Sequence, residues 1–339
     1  CTIDVVTVPP YKDWMGHDDS LNEYIHKNFG KVTRVTPSFF SRHMPFWSPK
    51  LLTQCPDGAR FLNRRIAQIV KKITSEKKYD FLITWSQWHS IHLVGLDIKS
   101  KFPSLPWVTY FSDPWTKNPY KKTSSTIKKI NHKLEKSVLT ESDLCIFSTK
   151  ETLNISTDGL PKEIREKSIS LPHGYDPDLY PSETHTKEKS HTIICRYLGS
   201  FYGHRSPETI IKSLEKINTD KSNLLKNMKF EFIGPIDQNI QNSLDTTKLP
   251  SGLIEFKDSV GYIESLRLMK NSDLLMVIDA PAKENLFLPS KLIDYIGAGR
   301  PIIGITPPGT SRKIIKSLGG YIADPSNIEE ICTAIEESL

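Results

Sequence analysis

Short apolar runs separated by amphipathic stretches recur along the whole chain, and this alternation is what most restricts the fold. Runs of four to eight apolar residues suit strands buried on both faces, and long amphipathic segments between them suit crossover helices. Together they predict parallel α/β sheets. In the first half the candidate strands are Ile3–Val8, Thr33–Val35, Phe81–Trp85, Trp107–Phe111, Leu144–Ser148 and Ser168–Leu171, with helices over Ala59–Ile73 and Ser125–Thr140. A polar stretch from Pro181 to Ser190 then breaks the pattern and has the composition of a linker. The alternation restarts with strands at Thr192–Leu198, Lys229–Ile233, Leu253–Phe256, Leu274–Ile278, Pro301–Ile305 and Gly320–Ile322. Helices fit Pro207–Ile217, Tyr262–Asn271, Lys291–Ile296, Ser311–Ser317 and Asn327–Ser338. The expectation is two doubly wound domains, 1–182 and 183–339, facing a cleft onto which the carboxyl-end loops of both sheets converge.

The composition is that of a globular protein, and no apolar run approaches the length needed to cross a bilayer. The opening residues Cys1 to Val6 read as a strand rather than a signal peptide, and a first residue other than Met suggests that the true start is missing. The five cysteines are scattered without a CxxC pair, which argues for reduced structural thiols in the cytoplasm and against a zinc cluster. The net charge of +6 is concentrated between Lys117 and Lys136, where seven lysines oppose the single Glu135. Ile127, Ile130, Leu134 and Val138 fall on one stripe of that helix, so the lysines face outward. They form either a plain solvated face or a patch for a phosphate-bearing acceptor or an anionic membrane surface on its inner side. The stretch from Phe39 to Asp57, rich in Phe, Trp, Pro and Met, shows no period and reads as a loop touching acceptor or membrane, or as a place where loop residues are missing from the numbering. With modest charge and no recurring aromatic-basic motif, nucleic acid is not an expected partner.

The segment from Glu284 to Ile303 carries the most chemistry. Pro289 and Ser290 are good helix-start residues, and the free amides of that helix end attract an anion such as a diphosphate. Lys291, on the first turn, adds a full charge to the same oxygens. Asp294 lies nearly one turn further along the same side, placed to accept hydrogen bonds from ribose hydroxyls. Read by itself, this is either an anion site or an ordinary loop–helix–strand unit.

The stretch resembles the nucleotide-sugar motif of family 4 glycosyltransferases in the variant P-S-K-L-x-[ED]-Y-x-x-x-G-[KR]-P, with Asp294 at the position of the glutamate that binds the donor ribose. Glu284 is the nearest equivalent of the family's upstream acid, although it sits too far upstream for the E-x7-E spacing. Tyr197 to Ser206 resembles the family's first C-domain strand and Gly-rich turn. There Gly199 shapes the turn, Arg205 takes the basic position on the diphosphate, and Ser200 replaces a common Arg. Gly234, in Phe232–Pro235, and Val260, before Gly261 and Tyr262, resemble loops that flank the nucleobase. In Leu105–Trp115 the family's Asp-Pro-Trp is kept as Asp113, Pro114 and Trp115, and Ser112 stands where relatives carry Arg or His. Asp113 orients sugar hydroxyls or acts as general base in that resemblance, and as an N-cap in a purely structural one. His89 and His92, in the strand-to-helix loop after Trp85, would contact substrate on the acceptor side, as would Trp115. His173, with Gly174, would shape the cleft floor. In place of the family's Gly-rich acceptor loop after the first strand stands Lys12 to Asp19.

The resemblance runs in the family's order from about Phe81 to Pro301. It implies the GT-B fold and a retaining transfer of sugar from a nucleotide-diphosphate sugar to a saccharide or lipid-linked saccharide acceptor, in cell-envelope polysaccharide or glycoconjugate synthesis. No D-x-D motif ends an apolar strand. Arg205, Lys291 and helix amides would therefore neutralise the diphosphate, with no metal or other cofactor. The rivals are a nucleotide-sugar epimerase or a phosphorylase of the same architecture, and a catalytically degenerate partner subunit, to which the departures at Ser112, Ser200 and Asp294 point.

Overall fold

The computed structural model describes residues 2–8, 18–86, 88–119, 121–182 and 192–339. It divides into two compact units, the first holding Asn22–Pro172 and the second Asp18–Leu21 with His173–Leu339. Residues 173–182 thus fold with the second unit rather than ending the first. Tyr180 explains this: its hydroxyl donates to the Asp294 carbonyl at 2.8 Å, and its ring packs with Leu179 on that unit's core. The linker residues 183–190 lie outside the described residues, as do Lys12 to His17 of the stretch that stands in place of the family's acceptor loop.

In the first unit, β1 (Val5–Thr7) pairs in parallel with β2 (Val32–Arg34). A four-stranded parallel sheet runs in the order β3 (Leu82–Ser86), β4 (Trp107–Phe111), β5 (Leu144–Phe147), β6 (Ser168–Ser170). Its core gathers Trp107, Phe111, Val138, Leu139 and Phe147. The helix Ser125–Glu141 starts where Ser124 accepts a hydrogen bond from the Ile127 amide, and it buries Ile127 and Val138 as its spacing predicts. Glu135 departs from that picture. It is buried, and burial lifts its carboxyl to about 7 against the pull of Thr116 and Lys117.

Phe39–Trp47 forms a helix rather than the expected loop. Phe39, His43, Phe46 and Trp47 fall at helical spacing on one side, a pattern that Pro45 within the segment obscures, and Phe39, Phe46 and Trp47 are all exposed. The expected helix from Ala59 opens as a 3-10 turn, Gly58–Leu62, and continues as an α-helix over Asn63–Glu76.

The second unit is one six-stranded parallel sheet. In chain order its strands are β7 (Ile193–Leu198), β8 (Met228–Ile233), β9 (Ile254–Lys257), β10 (Leu274–Ile278), β11 (Ile302–Ile305) and β12 (Tyr321–Ala323). Their spatial order is β12-β11-β10-β7-β8-β9. Every residue of β10 is buried because helices cover both faces of the sheet. On one face the helices Glu208–Asp220 and Ile328–Glu337 contribute Ile210, Leu214, Ile331 and Ile335. On the other, Tyr262–Lys270 and Ser290–Ala298 contribute Leu266, Met269, Leu292 and Tyr295.

Strand order reverses between β7 and β10, so loops diverge there and leave a crevice at the carboxyl ends. Beneath it Arg196 of β7 donates to Glu231 of β8 at 2.6 Å and to the carbonyls of Leu268 and Asn271, tying these two strands to the end of the helix Tyr262–Lys270. The described cysteines Cys55, Cys145, Cys195 and Cys332 are buried and unpaired. No helix among the described residues is long and apolar enough to cross a membrane.

Candidate functional site

The carboxyl ends of β7, β8 and β10 deliver Gly199, Gly234 and Asp279 to this switch point. Both glycines are required by geometry. Gly199 has φ +150°, and a side chain there would meet the Lys291 ammonium at 2.1 Å. Gly234 has φ +136°, and a Cβ would lie 2.4 Å from the Gly199 carbonyl oxygen. The two turns therefore close on each other as bare backbone, with the space above Gly199 taken by the Lys291 head.

Lys291 sits on the first turn of the helix Ser290–Ala298, whose capping residue Pro289 offers no side-chain acceptor. The amides of Ser290 and Lys291 have no carbonyl four residues back to pair with inside the helix. At the other end Gly299, with φ +64°, stops the helix and turns the chain toward β11. The Lys291 ammonium donates to the Tyr197 hydroxyl at 2.8 Å and lies 4.0 Å from the centre of that ring. Tyr197 is fully buried and in turn donates to the Ser200 carbonyl. Burial lowers the Lys291 pKa to about 7, aided by the Arg205 charge and opposed by Asp279.

Arg205 follows the turn after Gly203. Its guanidinium lies 3.5 Å from Asp279 and over the Tyr202 ring, while its Nε is buried without a partner. Asp279 is 3% exposed and accepts from the Asn285 amide at 2.9 Å. Burial raises its pKa, with Arg205 and Lys291 pulling the other way. Two cations thus stand beside one buried carboxylate, and the Arg205 Nε still lacks an acceptor. Such an arrangement suits an anion arriving at the helix end.

Asp294 is partly buried, and one of its oxygens accepts from the Tyr262 hydroxyl at 3.0 Å. Burial raises its pKa and the Tyr262 bond lowers it. Val260 is exposed just before Gly261, which caps the helix Tyr262–Lys270. The Tyr262 amide donates to Asp18 at 2.6 Å. His173 is partly exposed where the second unit begins.

Glu284, expected as the upstream acid, is exposed and makes no hydrogen bond or ion pair among the described residues. The acid beside the cations is Asp279. The sequence offered a signal for it, an acid directly after the wholly apolar run Leu274–Ile278. Tyr197 as the seat of Lys291 and Asn285 as the anchor of Asp279 had no such signal, because both contacts join residues distant along the chain or around a loop.

In the first unit, Ser112 and Asp113 are partly exposed at the carboxyl end of β4, and the Ser112 carbonyl accepts from the Ser148 hydroxyl at 2.6 Å. His89, His92 and Trp115 are corrected from substrate contacts to interior residues. His92 is fully buried, paired with Thr84 at 2.8 Å and packed against Phe111. His89 stacks on Trp115, whose indole donates to Asn131 at 3.0 Å. Burial lowers the His89 pKa to about 3, with Lys121 adding to the effect, and holds His92 well down, so both rings are neutral. A histidine in a loop before a helix can equally face the core, and here the rings pack on Trp115 and Phe111 while the Ser90 amide at the helix start donates to Asp57. At the same sheet edge Trp85 and Trp88 are exposed, and Trp85 stacks 3.8 Å from Tyr110.

No family model and no curated protein matches this sequence. Solved structures do. An α,α-trehalose-phosphate synthase (UDP-forming) from Burkholderia vietnamiensis superposes with a TM-score of 0.65 at 10% identity, covering 99% of this chain and 91% of that one. A sucrose-phosphate synthase from Thermosynechococcus elongatus gives 0.61 at 14% identity, covering 98% and 78%. HepE from Anabaena, solved in complex with UDP and glucose, gives 0.59 at 13% identity, covering 94% and 79%. These chains are glycosyltransferases of the GT-B class. The protein therefore has the GT-B fold, with two Rossmann-like α/β units built on parallel sheets.

Proposed function

We propose that this protein is a retaining, metal-independent glycosyltransferase of the family 4 type. It would move a sugar from a nucleotide-diphosphate sugar to a saccharide or lipid-linked saccharide acceptor in cell-envelope polysaccharide or glycoconjugate synthesis. The observation that carries the reading is the pair Lys291 and Arg205 beside Gly199 at the switch point, with an unpartnered Arg205 Nε and free helix amides on the same crevice. A diphosphate supplies the missing acceptors. As the bond from the anomeric carbon to the diphosphate oxygen breaks, negative charge grows on the leaving nucleoside diphosphate, and both cations stabilise that charge more than the ground state. Asp294, steered by Tyr262, receives ribose hydroxyls, and the backbone around Gly234 and Val260 flanks the base. Asp113, at the carboxyl end of β4, is the acid assigned to the transferred sugar or the acceptor proton. Retention rests on the resemblance of residues 289–301 to the family motif.

The Anabaena HepE structure holds UDP and glucose, so a UDP-sugar is the first donor to assay. The test is a thermal-shift panel of UDP, GDP, ADP, CMP and dTDP with their sugar conjugates, run with EDTA and with Mg²⁺. A ligand that binds the native state raises the melting temperature by mass action. Stabilisation by one nucleotide family that survives EDTA and is lost in Lys291→Ala and Arg205→Ala is the expected result. A folded protein that no nucleotide stabilises defeats the catalytic reading and favours a degenerate partner subunit.

A further inference from the structure

The loop that follows β4 is gripped at nearly every residue. The Ser112 carbonyl accepts from the Ser148 hydroxyl at 2.6 Å. The Pro114 carbonyl faces the ring of His89, which stacks on Trp115 with ring centres 5.2 Å apart and planes 1° from parallel. The Trp115 indole donates to Asn131 at 3.0 Å, and the Asn131 side-chain amide donates to the Gln54 carbonyl at 2.7 Å. Thr116 faces the Glu135 carboxyl. The Lys117 ammonium reaches the carbonyl and the carboxylate of Asp158 at 3.1 and 3.0 Å. Amid these contacts Asp113 stands partly exposed at the carboxyl end of β4.

A helix stripe built for stability alone would not carry two of these groups. The buried residues of the helix Ser125–Glu141 are Ile127, Asn131, Glu135, Val138 and Leu139. Asn131 and Glu135 lie one turn apart on that stripe, 7% and 4% exposed, with apolar residues on either side. Leucine at either position would continue the stripe without the desolvation that a buried amide or carboxyl undergoes. What the polar pair adds is direction. A hydrogen bond fixes its partner in distance and angle, which apolar packing does not. Through Asn131 the hold on Trp115 also extends to Gln54, directly after the turn Lys50–Thr53, so that separate segments of the first unit fix one indole.

We propose that Asn131 and Glu135 are positioning residues, which hold the loop 112–117 so that Asp113 keeps one placement for sugar transfer. The catalytic consequence rests on the role assigned to Asp113 above, whereas the hold on the loop does not. Both side chains are buried, so they act through Trp115 and Thr116 rather than on substrate.

The test combines transfer kinetics, donor calorimetry and amide hydrogen exchange on Asn131→Leu and Trp115→Phe, which break one bond from its two sides. Each should lower kcat by about tenfold to a hundredfold, since a shift of about 1 Å in a reacting group has that effect. Donor affinity should stay at the wild-type value, because Lys291 and Arg205 belong to the second unit. The losses should not add in N131L/W115F, where both substitutions remove the same contact. Glu135→Gln should keep activity that Glu135→Leu loses. Val138→Ala, on the same helix, opens a cavity in the core and should lower the melting temperature with kcat unchanged. Amide exchange over 115–118 should quicken in Asn131→Leu and Trp115→Phe and not in Val138→Ala. Unchanged exchange in the first two, or a loss of kcat in Val138→Ala as large as theirs, overturns the proposal. A wild type that transfers no sugar, or Asp113→Asn with wild-type kcat, defeats the reading of the site instead, and the exchange data then decide the hold on the loop.

Discussion

Raising the pH from 6 to 8 should weaken binding of a nucleotide-diphosphate sugar about tenfold, and Lys291 is the group responsible. Burial above Gly199 and the neighbouring Arg205 charge lower its pKa to about 7, with Asp279 opposing them. The other groups facing it are Tyr197, to which it donates, and that residue stays neutral throughout this window. In the free protein Lys291 is about nine-tenths charged at pH 6 and about one-tenth charged at pH 8. The bound diphosphate favours the ammonium form, so binding at pH 8 must first supply a proton, costing about 1.4 kcal/mol relative to pH 6. The sugar diphosphate itself has no group that titrates in this range. Isothermal titration at each pH, in buffers of different ionisation heat, reads both the affinity and the proton. The expected result is the tenfold loss, with close to one proton taken up at pH 8 and none at pH 6. Lys291→Met should bind weakly and without pH dependence. A flat wild-type profile, or one that persists in Lys291→Met, refutes the assignment.

Five further outcomes follow from the structure. Glu284→Ala should bind donor like the wild type because its side chain is exposed and forms no hydrogen bond or ion pair among the described residues, whereas Asp279→Asn should shift the pH dependence downward by removing the carboxylate that supports Lys291. Calorimetry on both variants checks this, and a loss of binding in Glu284→Ala would restore the sequence-based expectation. Gly234→Ala should destabilise the protein by about 1–3 kcal/mol in urea unfolding, since its φ is left-handed and its Cβ meets the Gly199 carbonyl. Glu231 is ionised down to about 2: burial alone would raise it, but hydrogen bonds from Lys257 and Arg196 hold it low. Its stabilising contribution should be complete above the unfolded carboxyl pKa and fall away as pH drops from about 4.3 toward 2. Arg196→Met, which removes the 2.6 Å partner of Glu231 but leaves Lys257 at 2.7 Å, should cost about 1–3 kcal/mol, and no change in urea unfolding would contradict the pairing.

The apolar spacing of this chain determined most of its strands and helices, because parallel strands buried on both faces must be apolar at nearly every position. Leu274–Ile278 and Trp107–Phe111 were legible to the residue for that reason. The helix expected over Lys291–Ile296 runs from Ser290 to Ala298, within a turn of that reading because Pro289 and the Gly299 stop are local chemistry. Local chemistry also supplied Lys291, Arg205, Gly199 and Asp294 as candidates, and the structure brings the first three of them together at one crevice. What the sequence left open depends on contacts between distant residues. Phe39–Trp47 hides its helix because Pro45, a helix breaker by local preference, stands within an otherwise helical stripe of Phe39, His43, Phe46 and Trp47. His89 and His92 look like site residues in sequence, yet His89 stacks on Trp115 and His92 pairs with Thr84 inside the core. Asp279 displaces Glu284 because strand order puts the end of β10 beside that of β7, a neighbourhood set by the sheet. The depressed pKa of Lys291 likewise exists only in the folded chain. It takes the ring of Tyr197, the bare backbone of Gly199 and the charge of Arg205 around one ammonium, and no stretch of sequence holds all three.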